Sequence, residues 1–300
     1  MPIQYDDRYL LRPGIKKEYT AEMIQHIMSC SRDVLYFASN FYTIIHPTKG
    51  QMIIPLFKFQ KEMLKAFQEN RFNIILSARQ IGKSTCACIF ILWFAIFNKD
   101  KTIAILANKQ NTAKSLIEDI KKAYAELPAW IKPGLEEYNA LNITFENGTK
   151  IFASATTEDA LRGESVSLLF CDEFAFVPQN IAEAFWKSNF PTLSQGGAAI
   201  LVSTPNGAAG KFYEIYKEAE GGNSPFKPFK VNWHEFPGRD EKWKEDMIAA
   251  VGKVGFQQEY ACVLGNTRIN IRVNDIIYEV EIGELYEKGS DFLSTLPNTN

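Results

Sequence analysis

Short apolar runs alternate with helical periodicity across the middle of the chain, and this alternation restricts the fold more than any other feature. The runs are apolar throughout, as is typical of strands buried on both faces of a parallel sheet. Between two of them, residues 112–127 place apolar side chains at helical spacing. Strands that alternate with helices predict an α/β fold, which binds ligands at the carboxyl ends of its strands. The predicted strands are residues 72–76, 102–107, 166–171 and 198–203, with a hairpin of 143–145 and 150–152 around an Asn-Gly turn.

The first run leads into residues 77–84, which predict a phosphate-binding loop. Closely spaced backbone N–H groups bind phosphate oxygens, and Gly82 lets the backbone approach the phosphates closely. A helix that begins at Lys83 adds a favourable dipole. Lys83 can reach the β- and γ-phosphates of ATP, and we expect its charge to lack a partner otherwise. A strict match needs glycine in place of Ser77, so an ordinary strand–turn–helix junction is the alternative. The residues predicted to bind nucleotide here are Ser77, Arg79, Gln80, Ile81, Gly82, Lys83, Ser84 and Thr85.

Two further runs end in polar residues. Asp172 and Glu173 follow the third run, where Asp172 and the Ser84 hydroxyl suit a magnesium shell. Glu173 points elsewhere and can orient and deprotonate the attacking water. An acidic pair is also common at surface caps, but its position downstream of a phosphate loop favours catalysis. The fourth run leads to residues 203–207, where Thr204 could sense the γ-phosphate, although Pro-Asn-Gly is also a common turn.

Together these motifs resemble the ATPase region of the large terminase subunit of tailed phages, over about residues 33–261. The resemblance implies a RecA-like sheet with flanking helices and a small accessory subdomain. It implies that Gln60 reads adenine and that Arg162 acts on the γ-phosphate in cis, beside Arg79, Lys83 and Glu173 as catalytic residues. The matching segments are residues 57–64, 79–84, 161–163, 172–176, 203–207 and 233–261.

The resemblance also implies a function: an ATP- and Mg²⁺-dependent motor that packages double-stranded DNA into a procapsid, in the cytoplasm of the infected bacterium. The implied partners are the portal, the small terminase subunit and further copies of the chain. A helicase-like motor is one alternative, but it needs a second α/β lobe after about residue 210, and too few residues follow. An inactive precursor fragment is another. A basic helix face, which either is solvated or contacts the DNA backbone, consists of Lys109, Lys114, Lys121 and Lys122.

Composition and charge exclude several classes of protein. The chain is 46% hydrophobic, as expected for a globular protein, and its net charge of −2 gives no overall basic signature. The apolar stretch at residues 86–97 is too short to span a bilayer and predicts a buried helix, and we expect neither a signal peptide nor a membrane partner. Five scattered cysteines argue against a disulfide framework or a zinc site. The predicted parts are an adaptor or lid segment (1–55), an ATPase core (56–210), a small linker subdomain (211–261) and an acidic tail (262–300).

The tail departs from the terminase pattern, since 39 residues are too few for the nuclease domain that normally follows. Residues 262–269 and 282–286 instead resemble the amino-terminal end of an intein, with an initial cysteine, a Gly-Asn-Thr turn and an Ile-Gly-Glu-Leu motif. This resemblance implies a short β-rich tail, Cys262 as the splicing nucleophile, and a second chain that carries the rest of the intein and the nuclease domain. A divergent terminase tail with a buried Cys262 is the alternative.

Overall fold

The computed structural model describes residues 3, 9–46, 48–207, 209–261, 268–273 and 276–281. The helices are α1 (Ala21–Arg32), α2 (Val34–Phe41), α3 (Lys58–Glu69), α4 (Lys83–Phe97), α5 (Gln110–Glu126), α6 (Gln179–Asn189), α7 (Lys211–Glu220) and α8 (Glu241–Glu259). The strands are β1 (Thr43–His46), β2 (Gly50–Ile53), β3 (Phe72–Ser77), β4 (Thr102–Ala107), β5 (Leu135–Tyr138), β6 (Asn142–Phe145), β7 (Lys150–Ala155), β8 (Leu168–Asp172), β9 (Ala198–Ser203), β10 (Lys227–Val231), β11 (Arg268–Val273) and β12 (Ile276–Glu281).

An eight-stranded sheet forms the centre of the fold, in the order β10-β3-β9-β8-β4-β7-β6-β5. The pairs from β10 to β7 are parallel, whereas β6 and β5 continue the sheet antiparallel. Helices flank this sheet, so the predicted α/β fold of RecA-like type is confirmed. Two antiparallel hairpins lie outside the sheet, one of β1 and β2 and one of β11 and β12.

The four predicted strands correspond to β3, β4, β8 and β9, which lie side by side in the sheet. The third begins at Leu168 rather than at residue 166, because Leu168 is the first residue in register with Ile103 of β4. The predicted hairpin is β6 and β7, and its turn is closed by Gly148, which has a φ of 80° and donates to the Phe145 carbonyl at 2.9 Å. Parallel strands that end at one edge therefore bring the predicted motifs together.

The buried helix predicted at residues 86–97 is the body of α4. Its side chains are almost all buried, which explains why it lacks a polar face. Trp93, 7% exposed, donates from its indole nitrogen to the Cys30 carbonyl at 2.6 Å, so α4 also anchors the end of α1. Among the described helices, none is long and apolar enough to cross a membrane.

The predicted boundaries at 55/56 and 210/211 do not separate independent packing units. One continuous hydrophobic core runs from Cys30 to Val231. On the amino-terminal side, Phe37 of α2 packs edge-on against Phe97 of α4, with ring centroids 6.0 Å apart. On the other side, β10 joins the central sheet beside β3, because its register places Val231 next to Ser77. Residues 211–231 thus complete the sheet that presents the phosphate loop.

Candidate active site

The predicted phosphate loop lies between β3 and α4, and its backbone is unusual at two positions. Gln80 and Gly82 have positive φ angles of 58° and 83°. A Cβ atom on Gly82 would lie 2.4 Å from the Gln60 amide nitrogen and would have to displace it, and the positive φ also favours glycine. Within the described residues, the N–H groups of Gln80, Ile81 and Gly82 have no hydrogen-bond partner. Free N–H groups before a helix amino terminus are suited to bind an anion.

Lys83 is 8% exposed and its ammonium contacts the Glu173 carboxylate, with 2.6 Å between Nζ and Oε1. The expectation that Lys83 lacks a charged partner in the absence of phosphate is therefore wrong. The reason is topological: β8 and β3 are separated only by β9, so the residue that follows β8 lies within reach of the loop that follows β3. A lysine buried to this extent needs a counter-charge, because burial of an isolated ammonium is costly.

The second Glu173 oxygen is held by the last residue of β9 and the residue that follows it. Oε2 accepts hydrogen bonds from the Ser203 hydroxyl at 3.3 Å, the Thr204 N–H at 3.3 Å and the Thr204 hydroxyl at 3.4 Å. Asn206 donates to the Ala175 carbonyl at 2.9 Å, which ties the same segment to the residues after Glu173. Three strand ends thus converge on one carboxylate, and residues 203–206 are placed to respond to its movement.

Asp172 is 4% exposed and lies beside the amino terminus of α4. It accepts hydrogen bonds from the Ser84 side chain and, at 3.1 Å, from the Glu173 N–H. Burial raises the pKa of Asp172 to about 6, while the nearby Lys83 ammonium opposes this rise. A buried carboxylate next to a hydroxyl is an oxygen donor pair that fits Mg²⁺, and a cation there would favour the ionised carboxylate.

Glu173 has a backbone φ of 51°, in the left-handed region that is unfavourable for a side chain with a Cβ. Such strain costs on the order of 1 kcal/mol and is found most often at functional sites. Here it turns the chain sharply at the end of β8, so that consecutive carboxylates face different neighbours: Ser84 for Asp172, and Lys83 for Glu173.

Gln60 is 5% exposed and both ends of its amide are occupied within the chain. Its oxygen accepts from the Phe57 N–H and its nitrogen donates to the Ile81 carbonyl, each at 3.1 Å. Gln60 also lines a cavity of about 700 Å³ between the β1–β2 hairpin, α5 and the start of α4, together with Phe57, Thr85 and Phe236. The cavity is large enough for a base and ribose, and it reaches Thr85 in the first turn of α4.

The predicted arginines lie outside this cluster. The Arg162 guanidinium pairs with Asp159 at 2.8 Å, and its side chain is 79% exposed. Arg79 pairs with Glu259 at 3.0 Å. Arg239, to which the sequence assigned no role, contacts the loop carbonyls of Arg79 and Gln80. Only the resemblance of residues 233–261 to the end of a terminase ATPase region pointed to this segment.

The remaining predictions have mixed outcomes. In the basic helix face, Lys114 pairs with Glu118, Lys122 pairs with Asp119, and Lys121 contacts the Asn139 carbonyl, so local partners account for these three charges. The described residues contain no group of three or more histidine, cysteine or acidic residues arranged to bind a metal. Cys262 lies outside the described residues.

The fold and the site define the class of the protein: a RecA-like α/β protein with a predicted phosphate loop after β3 and an acidic pair at the end of β8. Residues 74–276 match the family model described as "Terminase large subunit, T4likevirus-type, N-terminal", and the chain belongs to this family.

Solved structures with low sequence identity share the fold. The Thermus phage P74-26 large terminase ATPase domain is 21% identical, with a TM-score of 0.56, over 67% of this chain and 92% of that one. The HK97 bacteriophage large terminase is 16% identical, with a TM-score of 0.63, over 80% of this chain and 56% of that one. The large terminase of the thermophilic bacteriophage D6E, in complex with ADP, is 12% identical, with a TM-score of 0.55, over 81% and 75%.

Proposed function

We propose that this chain binds ATP at residues 77–85 and hydrolyses it. The observation that carries the proposal is the convergence of Lys83, Glu173 and Thr204 at the carboxyl ends of β3, β8 and β9. A cation, a carboxylate and hydrogen-bond donors at one point are what phosphoryl transfer needs, since its catalysis is mostly positioning and charge stabilisation. Nucleotides bound to relatives support it: the bacteriophage D6E large terminase has been solved with ADP and with ATP-gamma-S.

Each residue of the cluster has a distinct role in this proposal. The N–H groups of Gln80, Ile81 and Gly82 and the Lys83 ammonium bind phosphate oxygens. When Lys83 turns to the phosphates, Glu173 loses its ion pair and keeps only the Ser203 and Thr204 contacts. The freed oxygen can then accept a proton from the attacking water.

A magnesium ion would be held by Ser84 and Asp172, whose oxygens already lie in hydrogen-bond contact. When bound, it would neutralise charge that develops on the phosphate oxygens. Asp172, whose pKa burial raises to about 6, would bind the ion in its ionised form, which the cation would favour. The base and ribose enter the cavity beside Gln60, which we propose reads adenine by exchanging an internal contact for one to the base.

Membership of the terminase large subunit family supports a role in packaging viral DNA. We propose that ATP turnover in this domain drives double-stranded DNA into a procapsid in the infected bacterium, with the portal, the small subunit and further copies of the chain as partners. Residues 203–206 connect Glu173 to the rest of the structure and are the proposed route by which phosphate release is transmitted. Arg162 remains a candidate for the γ-phosphate, provided that it exchanges Asp159 for the nucleotide.

The test is ATP turnover by purified Lys83→Ala, with Lys65→Ala as a matched control on the exposed face of α3. Loss of a charge that contacts the transition state should lower turnover on the order of 10³-fold, whereas the control should match the wild type. Near-normal turnover by Lys83→Ala would remove the loop from the proposed site.

For the tail, we propose an intein amino-terminal segment with Cys262 as nucleophile. Its thiol attacks the Ala261 carbonyl, the Ala261–Cys262 amide bond breaks and frees the Cys262 amino group, and the Ala261 acyl group is left on the sulfur as a thioester. The support is the sequence motif, together with the antiparallel hairpin of β11 and β12 that follows the predicted turn. Mixed with a carboxyl-terminal intein fragment fused to a nuclease region, the chain should yield a spliced product without residues 262–300, and Cys262→Ala should yield none. Intact mass spectrometry distinguishes this product from one that retains the tail, which would refute splicing.

A further inference from the structure

The segment after β10 contacts the backbone of the predicted phosphate loop through Arg239. The Arg239 guanidinium donates from Nη1 to the Arg79 carbonyl at 3.0 Å and from Nη2 to the Gln80 carbonyl at 3.2 Å. These carbonyls belong to two consecutive peptide units at the crest of the loop. Neither contact involves a side chain of the loop, so the arginine acts on the loop backbone itself.

Arg239 is fixed in place by a cage of aromatic rings. Its Cζ atom lies 4.6 Å from the Phe236 ring centroid, 4.7 Å from that of Trp243 and 5.7 Å from that of Tyr260. The cage is itself packed, since Trp243 meets Tyr260 edge-on at 5.3 Å and Phe236 meets Phe57 at 5.0 Å. A guanidinium stacked between rings loses little further freedom when its planar fork binds two acceptors.

The direction of the two peptide units decides where the loop donors point. The described chain contains no cis peptide, and in a trans peptide the C=O and N–H groups point in opposite directions. A carbonyl of Arg79 that faces Arg239 therefore turns the Gln80 N–H to the opposite side, and the Gln80 carbonyl does the same for the Ile81 N–H. Within the described residues both N–H groups are without a hydrogen-bond partner. A cation on the carbonyl oxygen also polarises the amide, which strengthens its N–H as a donor.

A second contact to the loop has a different effect. The Arg79 N–H donates to the Glu259 carbonyl at 2.8 Å, and the Arg79 guanidinium pairs with the Glu259 carboxylate at 3.0 Å. These bonds involve the peptide unit before Arg79 and its side chain. They fix the position of the loop relative to the end of α8, but they do not orient the N–H groups of Gln80 and Ile81.

We propose that Arg239 is a positioning residue that turns and polarises the Gln80 and Ile81 N–H groups toward the nucleotide phosphates. The inference rests on the proposed nucleotide binding by this loop. Gln80 adopts its positive φ of 58° at a cost, and the two Arg239 bonds offset that cost in the absence of nucleotide. The loop is thereby preorganised, and its donors need no reorientation when phosphate arrives.

The test compares the dissociation constants of ADP and AMP for the wild type, Arg239→Gln and Arg239→Lys, measured by competition with a fluorescent ADP analogue. Lys242→Gln is the matched control, because it removes a charge from the same segment at an exposed position. We expect Arg239→Gln to weaken ADP roughly tenfold, since it loses both charge-assisted bonds, and to weaken AMP much less. Arg239→Lys should recover part of the loss, because it restores the charge without the fork. Lys242→Gln should stay within about twofold of the wild type.

Each other outcome has a defined meaning. If the wild type binds neither nucleotide, the proposed function fails, whatever the role of Arg239. If the wild type binds ADP and Arg239→Gln binds it within about twofold, the positioning role is refuted. If Arg239→Gln weakens ADP and AMP equally, or if Arg239→Lys recovers nothing while the circular dichroism spectrum changes, Arg239 only supports the fold and the proposal is overturned.

Discussion

Replacement of Glu173 by glutamine should separate the proposed nucleotide binding from the proposed hydrolysis. The amide is nearly isosteric with the carboxylate, and its oxygen can still accept hydrogen bonds from Ser203 and Thr204. What it removes is the negative charge that lies 2.6 Å from the Lys83 ammonium, and with it the capacity to take a proton from water. Turnover should therefore fall while nucleotide binding is retained.

The magnitude of each change follows from the contacts. Loss of the proton acceptor should lower turnover by about 10²- to 10⁴-fold, the usual contribution of a general base. In the absence of nucleotide, Lys83 of the variant would contact a neutral amide in place of a carboxylate. Phosphate would therefore replace a weaker contact than it does in the wild type. A charge-assisted hydrogen bond is about twice as strong as a neutral one, and we expect ATP affinity to be unchanged or to rise by up to roughly tenfold.

The assay measures steady-state phosphate release and, separately, the ATP dissociation constant of Glu173→Gln. Glu183→Gln is the control, because this exposed glutamate on α6 contacts only the neighbouring Gln179 side chain among the described residues. Turnover within tenfold of the wild type would refute the assignment of Glu173 as base. A variant that loses ATP binding would instead show that Glu173 is needed to organise the site, and the argument from the ion pair would be wrong.

Two further predictions concern the same site. The folded-state pKa of Asp172 is raised from 3.8 to about 6, so the ligand-free protein should become less stable as the pH rises from about 4 to 6. Mg²⁺-dependent nucleotide binding should weaken as the pH falls below about 6. Calorimetric titrations from pH 5 to 8 measure this binding, and Asp172→Asn should remove its pH dependence. Gly82→Ala places a Cβ 2.4 Å from the Gln60 amide at a φ of 83°. It should abolish measurable ADP binding and lower the free energy of unfolding, measured by thermal denaturation, by about 1–2 kcal/mol. Unchanged ADP binding would show that the loop adapts to the added methyl group.

The sequence predicted the central sheet well because burial on both faces leaves a continuous apolar run, and such runs are hard to mistake. β4 and β9 have the predicted bounds, and β3 and β8 differ by two residues or fewer at each end. The edge strand β10 was missed, since its sequence contains two lysines and a proline and carries no such signal. As a consequence, residues 211–231 were assigned to a separate subdomain although they complete the sheet.

Chain order was enough to predict which residues gather at the site, but not how they contact each other. Parallel strand ends share an edge, so Lys83, Asp172, Glu173 and Thr204 were correctly expected to lie together. The Lys83–Glu173 pair depends on the left-handed turn at Glu173, which no sequence pattern announces. Arg239 was missed for a related reason, because its partners are backbone carbonyls 159 and 160 residues away.

Two charged groups of the ligand-free site would gain partners from the proposed ligand. Lys83 is neutralised by Glu173, and burial raises the pKa of Asp172 to about 6. Lys83 would exchange one carboxylate for phosphate oxygens, and Asp172 in its ionised form would bind a divalent cation beside Ser84. When Lys83 binds phosphate, Glu173 keeps its Thr204 contacts, but its negative charge is no longer neutralised by Lys83. The contact that stabilises the ligand-free site is therefore the one whose loss would produce the catalytic base, and hydrolysis would be coupled to occupancy of the loop.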